Sequence, residues 1–201
     1  MAQGKQAKVL TEAQAKAVLR HLEHHGRYPE RDRVTVLLSL KAGLRAKEIA
    51  CLTWGMVTDA NGEVGDAIAL PNVASKGKGG GRTIPLNKEL REALVALRVI
   101  AARGRWGISF SLPIIRSERR TGYSAAAVAV WFHRLYSDLG FSGASSHSGR
   151  RTFITRAAKR AVEAGGSLRD VQQLAGHSSL ATTQRYIEGD TEAKRKLVNL
   201  I

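Results

Sequence analysis

Residues that start helices and glycines that stop them alternate along most of this chain, and they leave one stretch free for β-structure. Thr11, with Gln14 three residues on, reads as a capping box; Val18, Leu19 and Leu22 give the helix that follows one buried face, and Gly26 ends it. A second helix is expected from about Glu30 to Ala42 with Gly43 as its stop, and a short one over Ala46 to Leu52. Asn87 caps a helix carrying Leu90, Leu94 and Leu97 that closes at Gly104, and Ser124 caps another with Val128, Trp131, Phe132 and Leu135. Further helices are expected near 147–163, 168–175, 180–187 and 191–200. The exception is Ala67–Leu70 and Thr83–Leu86, two short strands around the loop Ser75–Arg82. The pattern predicts a mainly α (α+β) protein: a helical domain with a small antiparallel sheet.

A chain of 201 residues, 43% of them hydrophobic, can bury the core of one domain, or of one domain and a short appendage. Its formal charge of +15 exceeds what solubility requires and points to a polyanionic partner. Nucleic acid is the first candidate. A membrane surface is disfavoured, because no basic amphipathic helix with bulky apolar anchors is evident. No run of eighteen apolar residues occurs and MAQGKQAKV lacks a leader's apolar stretch, so a cytoplasmic protein is expected. The single cysteine, Cys51, excludes an internal disulfide and argues against a cysteine-based zinc site. Six arginines and one acid between Arg98 and Arg120 suit either a phosphate backbone or a solvated basic face.

Three separated segments hold the residue types that phosphoryl transfer on DNA needs: Ala42–Ile49 with Arg45 and Glu48, His147–Phe153 with Arg150, and Leu174–Tyr186 with His177. His147 and Arg150 stand three apart, which places both on one face of a helix. A phosphodiester repels nucleophiles and has a poor leaving group, so an enzyme without metal must supply fixed positive charge for the transition state. Guanidinium groups do this well, because they donate bidentately and stay charged. A tyrosine hydroxyl, with an ordinary pKa near ~10, needs a base or a strongly cationic setting, and a histidine is the natural proton acceptor. Each signal alone is weak. The glycine-rich loop does not fit the G-x-x-x-x-G-K-[ST] phosphate cradle, and His147 and His177 lack further ligands at zinc spacing.

Taken together, AGLRAKEI, HSGRRTF and LAGHSSLATTQRY resemble, in order and spacing, the boxes of the tyrosine recombinases, or lambda-type integrases, with the tyrosine nine residues after the last histidine. The resemblance runs from about Leu10 to Tyr186. It implies that Arg45 and Arg150 grip the scissile phosphate, His147 handles the proton of the nucleophile Tyr186, His177 hydrogen-bonds a phosphate oxygen, and Glu48 supports the site from behind. It also implies a general-acid lysine in the strand-connecting loop. Both Lys76 and Lys78 are available; Lys76 is preferred because it sits where the first strand ends, whereas Lys78 lies among glycines.

What the resemblance implies beyond the site is a DNA-breaking and rejoining enzyme acting through a 3′-phosphotyrosyl intermediate, with no cofactor and no metal. The expected organisation is a lead over 1–9, a catalytic domain over 10–189 and a tail helix over 190–201 that either contacts a neighbouring subunit or folds back on its own domain, with the family's additional N-terminal DNA-clamping domain absent. Double-stranded DNA, a homotetramer on that DNA and accessory DNA-bending proteins are the implied partners. The alternatives are strand relaxation of the type IB topoisomerase kind and a catalytically idle DNA-binding regulator. If backbone charge supplies most of the affinity, binding to random duplex will weaken with salt at a log–log slope of about −0.9 per neutralised phosphate. A fluorescence-anisotropy titration over a salt series measures this, and a flat response contradicts it.

Overall fold

The computed structural model describes residues 7–72, 81–104, 107–117, 122–186, 195, 198 and 199. Helix α1 (Glu12–His25) starts at the expected capping box, with the Thr11 hydroxyl accepting from the Gln14 N–H at 3.1 Å and the Gln14 side-chain Oε1 from the Thr11 N–H at 3.0 Å. Helix α2 (Pro29–Lys41) follows, and Pro29 suits its first turn because the missing N–H has no helical partner there. From Val34 to Leu40 every residue of α2 is buried. A helix covered all round belongs at the centre of a domain, and α2 packs against α1, α4, α6 and α3.

Helix α3 (Ala46–Cys51) packs on α5 (Ala125–Asp138), and α4 (Lys88–Arg103) buries Leu90, Leu94 and Leu97 against α2. Asn87 and Ser124 cap α4 and α5 through their side chains, as expected. The sheet is an antiparallel pair, β1 (Ala67–Leu70) and β2 (Arg82–Pro85). The second strand starts one residue earlier than the sequence suggests: Arg82 pairs with Leu70, while Leu86 lies just outside and still donates to the Asp66 carbonyl at 2.7 Å. Ile68, Leu70 and Ile84 face the core.

Two features were not legible in the pattern. Trp54–Met56 form a 3-10 turn, and the loop after α4 is stitched to it by bonds from the Trp54 and Gly55 N–H groups to the Leu112 and Phe110 carbonyls and from the Ile114 N–H to the Leu52 carbonyl. Within the basic segment, Arg98 is held by Glu63 at 2.9 Å, and Arg105, Arg119 and Arg120 lie outside the described residues.

The C-terminal third carries a second small core. Helices α6 (Ser148–Arg160), α7 (Leu168–Ala175) and α8 (Leu180–Gln184) bury Ile154, Val171 and Ala175, with Phe153, Leu168 and Tyr186 packed around them. Helix α6 starts at Ser148 with His147 as its cap, and α8 stops at Gln184, shorter than expected. The segment before α1 clamps α6, since the Leu10 N–H donates to Thr152 Oγ1 at 2.8 Å and Arg156 to the Leu10 carbonyl at 3.3 Å. Helices α2 and α6 meet so closely that a Cβ on Gly149 would collide with Ser39. Gly43 has φ of +64° and its missing Cβ would run into Phe153, so no other residue fits there without strain. The expected terminal helix over 191–200 and both lysines of the loop, Lys76 and Lys78, fall outside what is described, apart from the isolated positions 195, 198 and 199. No helix among the described residues is long and apolar enough to cross a membrane.

Candidate active site

Three loose ends of α7 organise the site. The last carbonyls of a helix have no partner inside it, and in α7 each of three successive carbonyls accepts from a different arginine: Leu174 from Arg82 Nε at 3.1 Å, Ala175 from Arg150 Nη2 at 2.7 Å, and Gly176 from Arg45 Nη2 at 3.4 Å. Gly176, the left-handed cap of α7 at φ +61°, turns the chain so that His177 follows directly.

Arg45 is the N-cap of α3, and Glu48, three residues into the helix, reaches back to its N–H at 2.7 Å. The Glu48 carboxylate is 1% exposed and accepts four hydrogen bonds. Two come from Arg45 (N–H and Nη1, 2.8 Å) and two from Arg82 (Nη1 at 2.9 Å, Nη2 at 3.0 Å). Burial pushes its pKa up, but the Arg82 hydrogen bond, the Arg45 N–H and both guanidinium charges outweigh burial and hold it below the ordinary glutamate value. Glu48 is therefore an anion at neutral pH.

Arg150 enters from the first turn of α6 and is 3% exposed. Its guanidinium donates to the Gly43 carbonyl at 2.6 Å and the Ala175 carbonyl at 2.7 Å, and Nη2 lies 2.9 Å from His177 Nε2. Burial, then the charge of Arg45, lowers its pKa to about 10, which still leaves it charged at neutral pH. An arginine can only donate, so Nε2 of His177 must be the acceptor and the ring proton resides on Nδ1, which donates to Thr183 Oγ1 at 3.0 Å. Burial and the charges of Arg150, Arg45 and Arg82 depress His177 to about 4 and keep it neutral.

Tyr186 follows α8, half-buried. Its ring stacks on His177 (centroids 5.5 Å apart, planes 25° apart), and the Arg151 guanidinium carbon lies 5.8 Å from its centroid. The ring borders an open cleft of about 530 Å³ whose lining includes Lys8, Ser145, His147, Arg150 and Arg151 and, among the described residues, no acidic one. His147 is exposed at the cleft edge. The fold thus gathers Arg45, Glu48, Arg150, His177 and Tyr186 from four segments and sets His147 on the same cleft as Arg150 and Tyr186; Lys76 is not among the described residues. Sequence reasoning missed Arg82, Thr183 and Arg151. Arg151 adjoins Arg150 in the HSGRRTF box and Thr183 lies within LAGHSSLATTQRY, so the motifs themselves held a signal for both. Arg82 offered none beyond its place at the end of the loop. No group of three or more His, Cys, Asp or Glu side chains converges among the described residues as a metal site requires.

The phage integrase family model matches residues 8–193. The chain belongs to this family. Among similar curated proteins are tyrosine recombinases named XerC, from Brucella suis, 32% identical over 141 residues (68% of this chain, 42% of that protein), and from Pelobacter propionicus, 29% identical over 175 residues (86% and 52%). The chain thus spans about half the length of the curated relatives it matches. Its fold is that of XerA recombinase (TM-score 0.75, 23% identity, 98% of this chain and 66% of that one) and of the Tn1549 transposon integrase in complex with transposon right end DNA (TM-score 0.69, 21% identity, 99% and 67%).

The depressed pKa of His177 makes stability pH-dependent. Between pH 6.5, its ordinary value, and about pH 4, the unfolded chain takes up a proton that the folded site resists. The contribution of His177 is complete above 6.5 and is lost as the pH falls through this window, with no further loss from this group below it. In urea denaturation, the stability advantage of wild type over His177→Gln should shrink from pH 6.5 to pH 4. An advantage that stays constant across that range contradicts the assignment.

Proposed function

We propose that this integrase domain is the catalytic part of a site-specific recombinase that cuts and rejoins double-stranded DNA through a 3′-phosphotyrosyl intermediate. The observation that carries the reading is the convergence of three arginines, a neutral histidine and Tyr186 around one helix end beside a basic cleft. Relatives named tyrosine recombinases and solved DNA complexes of the same fold support it.

In this mechanism the scissile phosphate lies between Arg45 and Arg150, which stabilise the charge that builds on its non-bridging oxygens. His147, exposed at the cleft edge, takes the proton of Tyr186 as the phenolic oxygen attacks phosphorus. The bond to the 5′ oxygen breaks, and Lys76 delivers a proton to that oxygen. A 5′ hydroxyl from another strand then attacks the phosphotyrosine, giving its proton to the now neutral Lys76, and Tyr186 leaves with the proton that His147 returns. His177 donates to a phosphate oxygen once its ring proton shifts from Nδ1 to Nε2, a change that follows when the phosphate draws the Arg150 N–H away. No nucleotide triphosphate, cofactor or metal is needed, because the phosphotyrosyl bond conserves the energy of the broken linkage.

Strand exchange needs two duplexes, so the working form is a homotetramer on DNA. The organisation proposed is a lead over 1–9, the catalytic domain over 10–189 and a tail over 190–201 that contacts a neighbouring subunit. Accessory DNA-bending proteins would serve sites with distant arms.

A nicked suicide substrate should trap a protein–DNA adduct that survives denaturation, and Tyr186→Phe should form none while binding DNA normally. An adduct in the variant moves the nucleophile elsewhere, and binding without any wild-type adduct favours a DNA-binding regulator. Loss of the general acid should slow cleavage by roughly 10²–10⁴-fold. A bridging 5′ sulfur leaves unprotonated, since a thiol ionises near ~8.5. Lys76→Ala should therefore be almost inactive on ordinary DNA and recover on the sulfur-substituted strand, while Lys78→Ala should not need the rescue; rescue of Lys78→Ala alone would exchange their roles.

A further inference from the structure

Arg82 is the one member of the arginine cluster that the proposed chemistry leaves without a task. It stands at the first position of β2, its side chain is 10% exposed, and its planar fork matches both oxygens of Glu48 at 2.9 and 3.0 Å while Nε holds the Leu174 carbonyl. A Cβ on Gly176 would come within 2.6 Å of Arg82 Nη1, so the guanidinium also packs against the turn that presents His177. With its Nε, Nη1 and Nη2 all donating to protein acceptors and its head buried, Arg82 is badly placed to bind DNA itself.

Its charge and geometry suit a different role. Glu48 and Arg45 alone would make a neutral ion pair, with the guanidinium field cancelled by the carboxylate 2.8 Å away. With Arg82 the Arg45–Glu48–Arg82 group carries one net positive charge, which adds to that of Arg150. The bidentate fork also fixes the carboxylate plane, and the carboxylate in turn fixes Arg45 through its N–H and Nη1. We propose that Arg82 is a positioning residue for strand cleavage, acting through Glu48 to orient Arg45 and to offset the carboxylate's charge beside the phosphate site. The inference rests on the recombinase reading, but the coupling between Arg82, Glu48 and Arg45 is measurable without DNA.

The test has two arms. In the DNA-free protein, the side-chain carboxyl of Glu48 is titrated by carbon-13 NMR in wild type and in Arg82→Met. Loss of the fork and its charge should move the Glu48 titration upward, and an unchanged titration overturns the coupling whether or not the protein cuts DNA. In the second arm, single-turnover cleavage of the suicide substrate is compared with duplex affinity. Arg82→Met should cleave about 10–100-fold more slowly, as when other groups that orient a catalytic residue from behind are lost, with affinity within about twofold of wild type. Removing the uncompensated charge, in Arg82→Met/Glu48→Gln, should restore part of the rate. Wild-type cleavage by Arg82→Met overturns the proposal, as does a double variant slower than the single one, which would point to a purely architectural arginine. Absence of an adduct with wild type counts against the recombinase reading instead, and the titration then decides the coupling.

Discussion

Arg150 holds its charge at 3% exposure, a placement that would be prohibitive without compensation, and the neighbouring architecture supplies that compensation. The acceptors are not acidic side chains. They are the Gly43 carbonyl, just past the end of α2, and the Ala175 carbonyl, at the end of α7, both from helix termini whose last carbonyls carry partial negative charge. A carboxylate in direct contact would satisfy the guanidinium equally well but would cancel the field a phosphate needs. Carbonyl dipoles satisfy the hydrogen bonds and leave most of the charge in place, which is what an anion-stabilising site requires.

This solution imposes demands on the backbone. Gly43 and Gly176 both have positive φ, and each frees a helix end to turn its carbonyls toward an arginine. Gly43 also admits the ring of Phe153 where a side chain would stand, so the α2 end, the Arg150 acceptor and the second core are set by one residue without a Cβ. The neutral state of His177 belongs to the same balance. Three arginines nearby make a further cation unfavourable, and a neutral ring can accept from Arg150 through Nε2 while donating to Thr183 through Nδ1.

Glu48 is the counterweight on the other side of the site. Its four hydrogen bonds saturate both oxygens and join α3 to β2, while the two arginines that bind it continue to α7. The small sheet thereby does more than cover the core: β2 carries to Glu48 the guanidinium that binds both its oxygens. The overall charge of +15 acts at longer range, favouring a polyanion in general, whereas this cluster concentrates positive charge at one helix end.

The helix starts at Thr11, Asn87 and Ser124 were legible because a cap is a local event: its donor and acceptor lie within three residues of each other. The strand boundary was displaced by one residue because Arg82 is drawn into β2 by pairing with Leu70 and by Glu48, 34 residues away in sequence. The central position of α2 was hidden for a related reason: a helix buried on every side has no polar face to announce its orientation. By itself the sequence determined the residue types of the site, their order, the caps and the cationic character, all properties of single residues or of neighbours a turn apart. Only the tertiary structure decided that the end of α7 faces Arg45, Arg82 and Arg150 together, because those hydrogen bonds join groups up to 131 residues apart and no local spacing encodes them.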